Sequence, residues 1–114
     1  MIAAVAFAVF AAYWITESPH AYFKRALRCF PSQPAECEKW AQLAVVKAHG
    51  NYPAAQLLQC RALAAMGEWD SALGGFSLIK NTTYCNPEDL LNLGEAALAV
   101  REFQLAERAL QAAR

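Results

Sequence analysis

Four cysteines and two histidines are the first side chains in this sequence to examine for chemistry. The cysteines stand at positions 29, 37, 60 and 85, and none of them forms the C-x2-C pair found in zinc ribbons, thioredoxin-like enzymes and c-type haem proteins. His20 and His49 are far apart, and neither has a carboxylate pair beside it. The sequence also has no glycine-rich phosphate loop and no Ser-His-Asp set. It therefore predicts no catalytic residue, metal site, cofactor or small-molecule substrate, and we expect that the protein is not an enzyme.

Cys29 and Cys37 are the two cysteines that predicted helices bring together. Cys29 ends one helix and Cys37 begins its neighbour, so the two thiols are expected to lie near each other across a short loop. A disulfide there would stabilise the hairpin by roughly 2–3 kcal/mol. The alternative is a pair of reduced thiols packed as small apolar side chains. Both interpretations stay open, whereas Cys60 and Cys85 are expected to be free thiols.

The composition favours close-packed helices. The 114 residues include 25 alanines, five glycines and five prolines, and 57% of the chain is hydrophobic. Alanine is the best helix former and is depleted in strands, so an all-α fold is predicted. The formal net charge is zero, which argues against a nucleic-acid partner because such proteins usually carry a basic surface.

The first fifteen residues carry no charged side chain. A helix of this length is about 22 Å long, shorter than the ~30 Å hydrocarbon core of a bilayer. Tyr13 and Trp14 stand where interfacial aromatic residues belong, and Lys24, Arg25 and Arg28 follow at headgroup distance. We therefore expect a transmembrane or membrane-seated helix over residues 1–16. Its lipid-facing side chains would be Ile2, Val5, Phe7, Val9, Phe10, Tyr13, Trp14 and Ile15.

Three further observations concern this predicted single-pass anchor. Ala4, Ala8 and Ala12 fall on one helical face, which is a pattern that permits close helix packing in lipid. A cleaved signal peptide would need a basic first region that is absent here, and a buried core helix is the other alternative. The basic residues after the anchor favour a cytoplasmic position for the remainder. The cysteines and the Asn81-x-Thr83 sequon favour the exocytoplasmic side, which we prefer.

Pro19, Pro53 and Pro87 are spaced by 34 residues. Ser18 and Asn86 directly precede the first and the last of them, and Asn51 lies two residues before Pro53. Proline suits the first position of a helix, so each is predicted to open one. The same spacing relates several pairs further on, namely Gly67 and Arg101, Trp69 and Phe103, Ala72 and Ala106, and Phe76 and Leu110. A period of 34 residues is the length of a helix–turn–helix repeat.

These residues resemble the tetratricopeptide repeat (TPR), whose pattern contains an L-G pair and then A-x3-F. Leu93-Gly94 matches the L-G pair, and Ala72-x3-Phe76 matches A-x3-F, as Ala106-x3-Leu110 does with leucine. Departures are Gln56 in place of an aromatic residue and Cys60 in place of the glycine. The resemblance covers residues 53–114 as two repeats. It implies an α-solenoid that binds peptides or helices through the first helix of each repeat, with a partner-binding face formed by Gln56, Gln59, Asn92 and Glu95.

Residues 19–50 fit the pattern less well and are predicted to form a divergent helical hairpin. Pro31 ends its first helix, Pro34 begins its second, and Gly50 is a helix C-cap. The predicted architecture is thus a membrane helix followed by a three-hairpin, TPR-like solenoid. On this basis we expect a non-catalytic accessory or assembly scaffold subunit of a membrane protein complex, whose partners are other protein subunits and the lipid bilayer. The alternative is a soluble TPR-type secretion chaperone whose N-terminal apolar helix is buried by its client.

Overall fold

The computed structural model describes residues 18–114, whose regular secondary structure is all helical, which confirms the all-α prediction. It contains six α-helices and one 3₁₀ turn (Thr82–Tyr84). The helices are α1 (Pro19–Cys29), α2 (Pro34–Lys47), α3 (Pro53–Ala65), α4 (Trp69–Ser77), α5 (Pro87–Ala99) and α6 (Phe103–Ala113). The residues of the predicted anchor and of its alanine stripe lie outside the described residues. Within residues 18–114, no helix has the length and apolarity needed to cross a bilayer.

Proline begins four of these helices, because its fixed φ suits the first helical position and its missing N–H needs no partner there. The three prolines spaced by 34 residues open α1, α3 and α5, and Pro34 opens α2. Two of these starts also have a side-chain cap. The hydroxyl of Ser18 accepts a hydrogen bond from the Ala21 N–H, and the side-chain oxygen of Asn86 accepts one from the Glu88 N–H.

The turns of the second and third helix pairs have the same backbone structure. The N–H of Glu68 donates to the carbonyl of Leu63 at 2.9 Å, and the N–H of Glu102 donates to the carbonyl of Ala97 at 2.8 Å. In each pair the second helix begins directly afterwards, at Trp69 and at Phe103. The 34-residue spacing therefore corresponds to a repeated local structure in this part of the chain.

Consecutive helices pack against each other in three pairs, α1 with α2, α3 with α4, and α5 with α6, and α2 also packs against α3. The core between them is divided into three clusters of buried side chains. One cluster joins the second and third pairs, and the other two join the first pair to α3. Helix α3 contributes to all three clusters, through Leu57 and Cys60, through Leu58 and Ala62, and through Ala55.

Small side chains let the helices of this core approach closely. Gly94 of α5 faces Leu110 of α6, and a Cβ atom added to Gly94 would lie 2.7 Å from two carbon atoms of that leucine. Among residues 18–114, eight alanines are completely buried, and they are distributed over all six helices: Ala26, Ala41, Ala44, Ala55, Ala62, Ala72, Ala97 and Ala109. The alanine-rich composition is thus used at the contacts between helices.

Candidate functional site

A groove runs between α1, α3 and α5, and we call it the central groove. It consists of two adjoining depressions of about 200 and 360 Å³ that share Arg61. The first is lined by Phe30, Arg61, Ala64, Ala65, Trp69, Asn92, Leu93 and Ala96. The second is lined by Phe23, Leu27, Ala54, Leu57, Leu58, Arg61, Tyr84, Asn86 and Asp89. Helix α3 forms the floor, and side chains of α1 and α5 form the two walls.

Apolar side chains form most of the groove surface. Leu57 and Leu58 are buried in the floor and Leu93 in the α5 wall. Leu27 is 47% exposed and Tyr84 is 74% exposed at the edge. Exposing large apolar side chains around a concave surface costs free energy unless another molecule or segment covers them. The groove therefore has the chemistry of a surface that binds an apolar segment.

Arg61 is the charged centre of the groove. Its Nη1 atom lies 3.2 Å from Oδ1 of Asp89, on α5. Its guanidinium carbon also lies 4.5 Å from the centre of the Phe30 ring, at the end of α1. The arginine thus joins both walls to the floor, and its charge is balanced by the carboxylate and by the electron-rich ring face.

Amide groups supply the other polar contacts in the lining. Asn86 belongs to the second depression and Asn92 to the first, and both side chains are exposed. Amides both donate and accept hydrogen bonds, so they suit the backbone of a bound segment. Within the groove lining, this arrangement offers an apolar surface, one ion pair and neutral hydrogen-bonding groups.

Gln56, which the resemblance places on a partner-binding face, has a side chain that is only 6% exposed. Its Oε1 accepts a hydrogen bond from the Tyr52 N–H at 3.2 Å, and its Nε2 donates to the Leu78 carbonyl at 3.4 Å. The side chain therefore joins the start of α3 to the end of α4. This side of α3 therefore faces α4 and not the groove.

The other three predicted partner-binding residues have different surroundings. Asn92 lines the central groove. Gln59 is half-buried and donates a hydrogen bond to Glu38 of α2 at 3.1 Å. Glu95 is exposed and lines neither depression. Only Asn92 of the predicted set therefore belongs to the groove.

The sequence prediction missed Arg61, Asp89 and Phe30, which together form the polar centre of the groove. One signal was available, because Arg61 is the only charged residue in α3. An isolated charge in a helix of alanine and leucine needs a partner when the helix is packed on several sides. That partner, Asp89, lies in the first turn of α5. A carboxylate is favoured there by the helix dipole, so the position of Asp89 in the sequence does not by itself indicate an ion pair.

The predicted headgroup cluster is divided between two environments. Lys24 and Arg28 are exposed on α1, and their spacing of four residues places them on one helical face. Arg25 is half-buried, and its guanidinium carbon lies 5.1 Å from the centre of the Trp40 ring. Lys24 and Arg28 thus present a basic surface, while Arg25 also contributes to the packing of α1 on α2.

All four cysteines are free thiols in this structure, including Cys29 and Cys37 at the two ends of the α1–α2 loop. Burial, with the nearby Cys29, raises the pKa of the Cys37 thiol to about 11. Burial, with the nearby Cys85, raises the pKa of Cys60 to about 12. Burial and the carboxylate of Asp89 also raise the pKa of Cys85. These three thiols are therefore protonated near neutral pH.

Two results complete the description of the site. Among residues 18–114, no three His, Cys, Asp or Glu side chains are grouped so that they could hold a metal ion. Comparison of the chain with protein-family models, with curated proteins and with solved structures gave no match.

Proposed function

We propose that the protein is a non-catalytic scaffold subunit that assembles a membrane protein complex and binds an apolar segment of a partner subunit in the central groove. The observation that carries this proposal is the groove itself, with exposed Leu27 and Tyr84 above a buried leucine floor. We also propose that the helix pairs are TPR-like repeats. The matching turns at residues 67 and 101, and the prolines that open α1, α3 and α5, support this assignment.

Attachment to the membrane is the second part of the proposal. Residues 1–16 contain no charged side chain, and the exposed Lys24 and Arg28 follow within the first helix. Each basic residue near an anionic membrane surface contributes about 1 kcal/mol of attraction. The apolar segment would enter the bilayer, and these two residues would contact lipid headgroups.

Co-purification in mild detergent tests whether partner subunits bind in the central groove. We expect the Leu27→Ser and Tyr84→Ser variants to lose the partner subunits that the parent chain retains, because both side chains are exposed in the groove and their loss removes contact area. The matched controls are Leu78→Ser and Val46→Ser. Those side chains are 71% and 56% exposed, and neither lines the groove. Equal loss of partners in both sets would contradict the proposed binding surface.

Carbonate and high-salt extraction of membranes tests whether residues 1–16 anchor the chain in the bilayer. An inserted segment is retained in the membrane fraction, whereas a protein held by surface charge alone is released. Release of the full chain would overturn the anchor and favour the soluble chaperone alternative.

A substitution in the alanine stripe tests whether the anchor packs against other helices. Ala8→Phe places a bulky side chain on the face shared with Ala4 and Ala12, where close helix approach needs small residues. We expect it to reduce partner co-purification. Ala3→Phe adds the same side chain off the stripe and is the control. Unchanged co-purification of the Ala8→Phe variant would show that the stripe is not an interface.

A further inference from the structure

A third depression, of about 440 Å³, is formed by α5 and α6 and shares no lining residue with the central groove. We call this surface the end face. Leu91 is 42% exposed on it. Its residues come from the start of α5, from the end of α6 and from the position that follows α6: Pro87, Glu88, Leu91, Leu110, Ala113 and Arg114.

The same surface of the second helix pair is buried. The four apolar residues of the end face have counterparts exactly one 34-residue spacing earlier, namely Pro53, Leu57, Phe76 and Ile79. The last three are 2%, 6% and 8% exposed. They are covered by the part of the chain that follows, since Cys85 and Leu90 belong to the same buried cluster. The second pair thus shows that a surface of this kind is covered when another helix is adjacent.

The geometry of the third pair makes the end face complementary to a copy of itself. Helices α5 and α6 are joined by three residues and pack against each other, so the start of α5 lies beside the end of α6. A twofold axis parallel to these helices places α5 of one copy against α6 of the other, at the same height.

The positions of the side chains along the two helices agree with this arrangement. At 1.5 Å per residue, Leu91 lies about 4.5 Å along α5 from Glu88, and Leu110 lies about 6 Å along α6 from Arg114. Leu91 of one copy would therefore contact Leu110 of the other. Glu88 would lie opposite Arg114 of the second copy.

The charges of the end face favour a second copy as its partner. Glu88 and Arg114 are both exposed, and their formal charges are opposite. A contact between two identical surfaces must be self-complementary, and one acidic and one basic residue at the same height meet this requirement. A purely acidic or purely basic partner would place a like charge against one of the two residues.

We propose that the end face binds the end face of a second copy of this chain, in a twofold contact that brings α5 and α6 of each copy into a four-helix arrangement. This contact lies outside the central groove and goes beyond the proposed function. The resulting dimer presents two central grooves to partner subunits.

Sedimentation equilibrium of the full chain in density-matched mild detergent tests the proposal. We expect a concentration-dependent equilibrium between monomer and dimer. Leu91→Glu places a carboxylate in the apolar part of the contact and should raise the dissociation constant at least about tenfold. Val46→Glu adds the same charge at a side chain that is 56% exposed on α2 and lines none of the three depressions. This control should leave the dissociation constant unchanged.

Exchange of the two charges tests the arrangement itself. Glu88→Arg and Arg114→Glu each place like charges opposite one another, and each variant alone should dimerise about tenfold more weakly. An equimolar mixture of these two variants should recover the parent dissociation constant, because each arginine then faces an acidic residue of the other chain. A folding defect in either variant would not be corrected by mixing.

Four outcomes would overturn the inference. They are a monomer at every concentration, a Leu91→Glu variant that dimerises as the parent does, a mixture of the charge variants no stronger than either alone, and self-association that Ala8→Phe removes while Leu91→Glu leaves it intact. The last result would assign the contact to residues 1–16 and not to the end face.

Discussion

Gly67 and Arg101 occupy the same position in the turns of the second and third helix pairs, and both have a positive φ, of 79° and 64° respectively. A left-handed backbone suits glycine because glycine lacks a Cβ atom. It costs another L-residue roughly 1–2 kcal/mol. The third helix pair therefore has the same turn as the second pair, but Arg101 is strained in the left-handed conformation that this turn requires.

Replacement of Arg101 by glycine is expected to stabilise the protein by about 0.5–1 kcal/mol. The gain is smaller than the full left-handed penalty because glycine loses more chain entropy on folding. Gly67→Ala is the reciprocal variant and should destabilise by about 1 kcal/mol. No atom lies within 4 Å of the added Cβ, so the effect is conformational. Urea unfolding measures both, and a destabilised Arg101→Gly variant would show that the two turns are not equivalent.

Alanine substitutions at Gly94 and Gly74 are expected to change stability in opposite directions. A Cβ at Gly94 would lie 2.7 Å from Cγ and Cδ2 of Leu110, and overpacking of this kind costs about 1–3 kcal/mol. A Cβ at Gly74 in α4 meets nothing within 4 Å, so Gly74→Ala should gain up to about 1 kcal/mol of helix propensity. Thermal unfolding of the two variants gives the comparison. A Gly94→Ala variant as stable as Gly74→Ala would mean that α5 and α6 are less closely packed than described.

Gln56→Met is expected to cost about 1–3 kcal/mol of folding free energy. Methionine fills a similar volume but leaves the Tyr52 N–H and the Leu78 carbonyl without their side-chain partner, and unpaired groups in a protein interior carry that penalty. Gln59→Met removes a single bond to Glu38 and should cost about 1 kcal/mol or less. Chemical denaturation ranks the two variants, and a larger loss at Gln59 would contradict the buried role of Gln56.

Alkaline pH is expected to destabilise the protein through Cys60. The folded-state pKa is about 12 and the ordinary value is 9.0, so the folded chain holds this proton more tightly than the unfolded chain does. The associated stability is complete below pH 9 and is lost as pH rises from 9 towards 12. The slope reaches about 1.4 kcal/mol per pH unit for one thiol.

Unfolding titrations between pH 8 and pH 10.5 measure this loss. Cys60→Ala should give a shallower dependence of unfolding free energy on pH than the parent chain. Leu57→Ala, which also shortens a buried side chain of α3 but keeps the thiol, should leave the slope as it is. If the slope of the Cys60→Ala variant equals that of the parent, another group is responsible for the alkaline loss.

The helix boundaries were predictable because they depend on local chemistry. Pro19, Pro53 and Pro87 set the starts of three helices through their own φ angles, and Gly67 ends one through its backbone freedom. The repeated spacing of these residues also predicted the matching turns. No long-range contact was needed for either result.

The surroundings of individual side chains could not be predicted in the same way. Gln56 and Arg61 lie on different sides of α3, and the side that faces the groove depends on how α3 packs against α2, α4 and α5 together. Gln56 turns towards Leu78, while Arg61 reaches Asp89 and Phe30. These partners lie 22 to 31 positions away in the sequence. The sequence pattern of α3 alone does not indicate which of these distant residues will lie beside it.

Helix α3 contributes side chains to all three buried clusters, and this limits how the chain can be divided. A fragment that stops before residue 53 would expose Ala26, Cys37 and Ala41 to water, and one that begins after residue 65 would expose Phe76 and Leu90. Neither fragment is a domain in its own right. In evolutionary terms, the middle hairpin could not be removed without a new set of apolar contacts on both sides.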